Sequence, residues 1–238
     1  MQIADVHPWI CAPDARDTVE LFLLRGRKVQ IARNDVVSVG GRASDIYFFK
    51  TGAVLVFADD HEDYWVESPR ALGIYLPGRI LGAVVSIHDK TAQLYGRALQ
   101  PVEALTLPLS VFQHRVLADS RLYAAATHDA VSKLSAHNKG LRANLHLEPP
   151  ARLLLLLRTL FAAFELDIRD GWNVVPLNLS TIDYGMVVHT TRITVSRVFG
   201  DWKRRRLLRR TGHAVEVHST LFRTGDQAPV RALADMSA

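Results

Sequence analysis

The chain has 238 residues, 29 lysines and arginines against 24 aspartates and glutamates, a net charge of +5, and 48% apolar residues. That length suits one or two domains with packed cores. The single cysteine, Cys11, excludes a disulfide framework and any iron–sulfur cluster ligated by cysteines of one chain.

Asp5, His7 and Pro8 depart from the basic-then-apolar order of a signal peptide, which predicts a cytoplasmic protein. Residues 13–24 predict a short helix. Beyond it, short apolar runs separated by turn residues predict strands at 28–32, 36–39, 46–49, 53–58, 64–67, 71–75, 93–99 and 102–107. Gly40-Gly41, Gly52, Asp59-Asp60 and Pro77-Gly78 divide these runs. A cupin-like enzyme built on such strands would need clustered His-x-His ligands. None occurs in residues 1–108, and the chain has no Gly-x-Ser-x-Gly elbow or phosphate loop.

Residues 109–147 predict one long helix, giving an α+β fold class. Thr127, Val131, Leu134, Asn138, Leu141 and Leu145 follow the seven-residue seam of a two-stranded coiled coil, with Asn138 placed to fix register. The alternative is that this face packs on the chain's own strands. His128, His137 and His146 lie nine residues apart, two and a half turns, so they cannot converge on one metal ion within a helix. No metal is predicted, although haem held by one histidine stays open. Glu148-Pro149-Pro150 ends the helix and makes a hinge. Arg152 and Arg158 then close the leucine run 153–157, so no membrane span is expected.

Residues 179–208 read as a helix, a tight corner and a second helix. Ser180 caps the first, with Asp183 three residues on favouring a helix start. Tyr184, Val187 and Val188 form an apolar stripe, and Gly185 permits close approach of a partner helix. Val188-His189-Thr190 leaves room only for a sharp corner. Thr190 or Thr191 caps the second helix, whose apolar set Val195, Val198, Phe199 and Trp202 recurs at helical spacing. Thr191, Arg192, Ser196 and Arg197 remain on the other face, with the run Lys203 to Arg206 beyond. Residues 151–238 hold 13 basic and 8 acidic residues, whereas the first 150 hold 16 of each. All the excess positive charge therefore lies beside this helix pair, as phosphate neutralisation requires.

From Ser180 to Leu208 the chain resembles, without a gap, the helix-turn-helix of the Crp–Fnr superfamily of bacterial transcription regulators. Gly185, Thr194-Val195 and Ser196-Arg197 carry the resemblance. Pro150-Ala151-Arg152 with its leucine run resembles the family's first helix of the DNA-binding part. Leu207 to Arg210, the turn Thr211-Gly212-His213 and Ala214 to His218 resemble its β-hairpin wing. Phe49 to Val54 and Leu76 to Gly82 resemble landmarks of its eight-stranded, jelly-roll-like β-roll, the cyclic-nucleotide-binding fold. The resemblance implies a sensor β-roll at 1–108, a dimerisation helix at 109–148 and a winged helix-turn-helix at 149–238. It implies a homodimer on pseudo-palindromic double-stranded DNA, RNA polymerase as a partner, and no enzymatic activity.

By the same resemblance, Arg192 and Arg197 read base edges, Thr191 and Ser196 contact bases or phosphates, and Lys203 and Arg204 neutralise backbone. Two departures matter. The corner usually carries Gly and here carries His189, a residue that tolerates positive φ better than most. The family's Glu beside the arginine-bearing face is Ile193, which can touch only a thymine methyl where a carboxylate would accept from cytosine. A different half-site is therefore expected. In the roll, the family's ribose-binding Gly-Glu is Gly82-Ala83, and its phosphate-binding Arg is Lys90, followed by Thr91; Thr127 is grouped with these as a candidate effector contact. Ala83 cannot accept from a hydroxyl, and Lys90 offers a point charge in place of a planar fork. Cyclic AMP is thus not the expected effector, and the small molecule sensed stays unassigned. The competing reading is a winged-helix protein that binds nucleic acid through phosphates alone, with affinity falling steeply in salt.

Overall fold

The computed structural model describes residues 6–40, 44–58, 70–83, 93–212 and 214–223. The fold is α+β with antiparallel sheets, in two compact units, Met1–Asn138 and Lys139–Ala238. Among the described residues no helix is long and apolar enough to cross a membrane.

In the first unit, α1 (Arg16–Arg25) precedes, among the described residues, eight strands: β1 (Arg27–Ile31), β2 (Val36–Val39), β3 (Asp45–Phe49), β4 (Val54–Phe57), β5 (Gly73–Tyr75), β6 (Arg79–Leu81), β7 (Leu94–Ala98) and β8 (Val102–Pro108). They form two four-stranded sheets, ordered β1-β8-β3-β6 and β2-β7-β4-β5. β8 is central because Val102, Ala104, Leu105 and Leu107 are all buried, and it pairs with β1 on one side and β3 on the other. Ile46, Phe49, Ile80, Phe22 of α1 and Phe112 fill the core beneath. The strand expected at 64–67 lies outside the described residues. β6 was not expected: three residues between Gly78 and Gly82 are too few to show an alternation. The first helix starts three residues later than expected, because Asp14 is drawn into a buried ion pair.

The expected single helix at 109–147 is two, α2 (Leu109–Ala118) and α3 (Ser120–His146). Asp119 breaks it with extended backbone (φ −130°, ψ 112°), and its carboxylate accepts from the Arg121 and Leu122 amides at 2.9 and 3.2 Å. A short side-chain acceptor at that point caps a new helix better than it continues an old one.

The N-terminal segment 6–14 is fixed from two sides within this unit. The Trp9 amide donates to Ala136 O of α3, and Trp9 O accepts from Ile74 N of β5. Asp14 pairs with the buried Lys133 and accepts from Ile80 N at 2.6 Å. Asp129 accepts from the Thr18 hydroxyl at 2.7 Å and the Ala15 amide at 2.9 Å. Trp9 holds φ +60°, an uncommon conformation for so bulky a residue, which these bonds together enforce.

His137 lies 3.6 Å from the Cys11 sulfur and stacks on Tyr75. Burial, with Lys133 nearby, pulls its pKa down to about 4. An unfolded histidine titrates near 6.5, so below that pH only the unfolded chain takes this proton. The stability His137 contributes is therefore lost as pH falls from 6.5 towards 4. Asp14, pushed up to about 6 by burial against the pull of Lys133, acts oppositely, its folded form accepting a proton first. His137→Gln should gain about 2–3 kcal/mol relative to the native chain between pH 7 and about pH 4.5 in urea unfolding. Parallel pH profiles for the two proteins would contradict a neutral, half-buried His137.

In the second unit, α4 (Pro149–Ala163) starts with proline at its first position, where no amide donor is needed. β9 (Trp172–Val174), α5 (Thr181–Val187), α6 (Arg192–Arg204), β10 (Leu208–Thr211) and β11 (Ala214–His218) follow. The sheet order is β10-β11-β9. β9 was not expected, since its three residues become a strand only through pairing with β11, more than forty positions later.

Candidate nucleic-acid interface

α5 begins with a reciprocal cap: Ser180 Oγ accepts from Asp183 N at 3.1 Å, and the Asp183 carboxylate accepts from Ser180 N at 2.8 Å. Its inner face buries Tyr184 and Val187, with the Tyr184 ring edge-on to Phe199 at 5.1 Å. Gly185 is required by the corner. A Cβ there would stand 2.7 Å from Thr190 O, and the Thr190 amide donates back to Gly185 O at 2.9 Å. His189 takes φ +49°, the left-handed turn expected of it.

Thr191 is the cap of α6; its hydroxyl accepts from Thr194 N at 3.1 Å. Val195, Phe199 and Trp202 are buried, and Val198 is half-buried. Arg192, Ile193, Ser196 and Arg197 are exposed on the opposite arc, Ile193 at 70%. Thirteen residues make a rod about 20 Å long. Among the described residues Arg192, Arg197 and Lys203 form no ion pair, whereas Arg204 and Arg205 share Asp201 at 3.2 and 3.5 Å. Such exposed pairs contribute about 0–1 kcal/mol, so a phosphate can displace Asp201 from Arg204. Arg206, at φ +57°, ends the helix, and Leu207 N donates to Trp202 O. On the adjoining hairpin, Arg209 lies 4.3 Å over the Trp172 ring and pairs with Glu216.

Arg152 and Asn144 also belong to this site, although no motif marks them for it. Arg152 Nη1 donates to Val188 O at 3.1 Å and His189 O at 3.4 Å, and Asn144 Nδ2 donates to Val187 O at 3.1 Å. The partners lie 36 to 43 positions apart, beyond any local pattern.

The candidate effector residues are not assembled into a site by the described residues. Gly82 (φ +104°) is a packing position, where a Cβ would meet Val39 and Ile46 side chains at 2.5 and 2.6 Å. Ala83 is 1% exposed, Lys90 and Thr91 lie outside the described residues, and Thr127 is exposed on α3. On the same helix Val131, Leu134, Asn138, Leu141 and Leu145 are exposed, Leu145 at 69%. Val131, Leu134 and Asn138 therefore do not pack on the strands of their own unit. Among the described residues no group of three or more His, Cys, Asp or Glu could hold a metal ion.

No family model and no curated protein matches the sequence. Solved structures do match the fold. The c-di-GMP-responsive global regulator CLP of Xanthomonas campestris superposes with a TM-score of 0.68 at 17% identity, over 86% of this chain and 99% of its own. FixK2 of Bradyrhizobium japonicum matches with a TM-score of 0.64 at 15% identity, over 84% of this chain and 96% of its own. A CRP-family transcriptional regulator of Thermus thermophilus matches with a TM-score of 0.62 at 18% identity, over 82% of this chain and 95% of its own. The chain has the fold of the Crp–Fnr transcription regulators.

Proposed function

We propose that this chain, built on the Crp–Fnr fold, is a homodimeric, sequence-specific DNA-binding transcription regulator. The observation that carries the reading is the two-sided character of α6. Val195, Phe199 and Trp202 anchor it in the second unit, while Arg192, Ile193, Ser196 and Arg197 face outward with nothing paired to either arginine among the described residues. A winged helix-turn-helix at 149–238 would place that face in a major groove. The seam on α3, within 109–148, would join two copies, so that two such helices meet successive grooves about 34 Å apart. The eight-stranded roll, 1–108, would act as a sensor whose effector is not cyclic AMP, since buried Ala83 offers no acceptor for a ribose. The protein would act in the cytoplasm with RNA polymerase, as a regulator and not an enzyme.

Arg197→Ala is expected to cost about 1–3 kcal/mol on the preferred duplex and to relax preference at one base pair. Lys203→Ala should weaken every duplex alike and lower the salt slope by about 1. Fluorescence anisotropy with preferred and scrambled duplexes across a salt series measures both. Equal effects of the two substitutions on every sequence would overturn the division of roles.

A further inference from the structure

The corner between α5 and α6 is too short to hold itself. α5 has seven residues; the Val188 and Thr190 amides meet Tyr184 O and Gly185 O, but the carbonyls from Val187 onward have no following helical amides to meet them. Three carbonyls at the corner, one from the last residue of α5 and two just beyond it, are met from elsewhere in the same unit. Asn144, near the C-terminal end of α3, donates to Val187 O. Arg152, in the first turn of α4, donates through one nitrogen to Val188 O and His189 O. The Nε of the same guanidinium donates to Leu147 O, just after α3, at 2.5 Å. One planar fork thus ties the end of the seam helix to the corner, and His189 sits there in a conformation that surrounding structure must enforce.

From this geometry we infer that Arg152, assisted by Asn144, is a positioning residue that sets the sequence specificity of α6 by locking the α5–α6 corner to the end of the seam helix. The inference rests on the DNA-reading proposal. Neither residue needs to touch nucleic acid. A tilt of about 10° at the corner moves the far end of a ~20 Å rod by about 3 Å, roughly the length of one hydrogen bond. Base contacts depend on such alignment, whereas phosphate contacts from flexible lysines and arginines tolerate it. Because Asn144 follows Leu141 and precedes Leu145, a rotation of the last turn of α3 at the seam reaches the corner directly.

The test uses the full-length chain with Arg152→Lys and, separately, Asn144→Ala. Lysine keeps the charge but cannot span the carbonyls that the fork bridges. For each protein, affinity is measured at one salt concentration for the preferred duplex and for random-sequence DNA, together with the salt slope. The ratio of the two affinities does not depend on the fraction of protein folded, so a variant that folds poorly remains informative. Arg152→Lys should lower the ratio about 10-fold, as expected for loss of charge-assisted hydrogen bonds, with the salt slope unchanged. Asn144→Ala should lower it in the same direction. A preference in the native chain that both variants keep within about 2-fold overturns this inference alone. A native ratio of one overturns the DNA-reading proposal and this inference with it.

Discussion

Lys133→Ala is expected to destabilise the N-terminal unit by about 3–5 kcal/mol. Lys133 is 1% exposed and Asp14 8% exposed, and they pair with each other inside the unit. Removing the ammonium leaves a buried carboxylate with the Ile80 amide as its close donor. Burial already holds the Asp14 carboxyl up at about 6 while Lys133 opposes that rise. Without the lysine the group rises further and takes a proton near neutrality, which limits the loss. The segment 6–14 also loses the bond that pins it to α3 beside the Trp9–Ala136 contact. Lys133→Met combined with Asp14→Leu should be close to neutral by comparison, because an apolar pair of similar volume carries no desolvation cost. Urea unfolding of the single and double variants measures both. A single variant that loses less than about 1 kcal/mol would contradict an intact buried pair.

Leu134→Lys combined with Leu141→Lys is expected to convert the proposed dimer to monomer. Both leucines are about half exposed on the isolated chain, so lysine is tolerated there and the fold survives. In a two-stranded seam each leucine is covered by its counterpart, and each contributes about 1.5 kcal/mol or more. Four leucines per dimer then amount to about 6 kcal/mol, or a dissociation constant weaker by about 10⁴-fold. Binding to a two-fold site should fall with it, because one half-site no longer holds the second subunit close to the other. Sedimentation velocity of the double variant checks the outcome. A dimer as tight as the native one would place the subunit contact elsewhere.

What the sequence displays, and what it conceals, follows the range of the interactions. Ser180 and Asp183 are three residues apart and form a cap from that spacing alone. Gly185, the His189 corner and the Val195, Phe199 and Trp202 stripe are equally local, so the helix pair is legible residue by residue. The exposed apolar row on α3 is legible for the same reason. The break at Asp119 carries a local signal, a capping side chain, but the apolar pattern on either side of it outweighs that signal. β6 and β9 are three residues each and exist only through partners distant in the chain. Lys133 and Asp14 lie 119 positions apart, and Arg152 reaches a corner 36 positions away. No periodicity connects such residues. Gly82 adds a role that its resemblance to a ligand-binding position does not display, close packing against Val39 and Ile46.

Selection of duplexes bound by the full-length chain from a random pool, at fixed salt, bears most directly on α6 as a reading helix. The expected result is an enriched two-fold symmetric site with half-sites one helical turn apart, carrying a thymine where Ile193 meets the groove, and losing one base preference with Arg197→Ala. A pool that stays unenriched, with affinity set by salt alone, would contradict it.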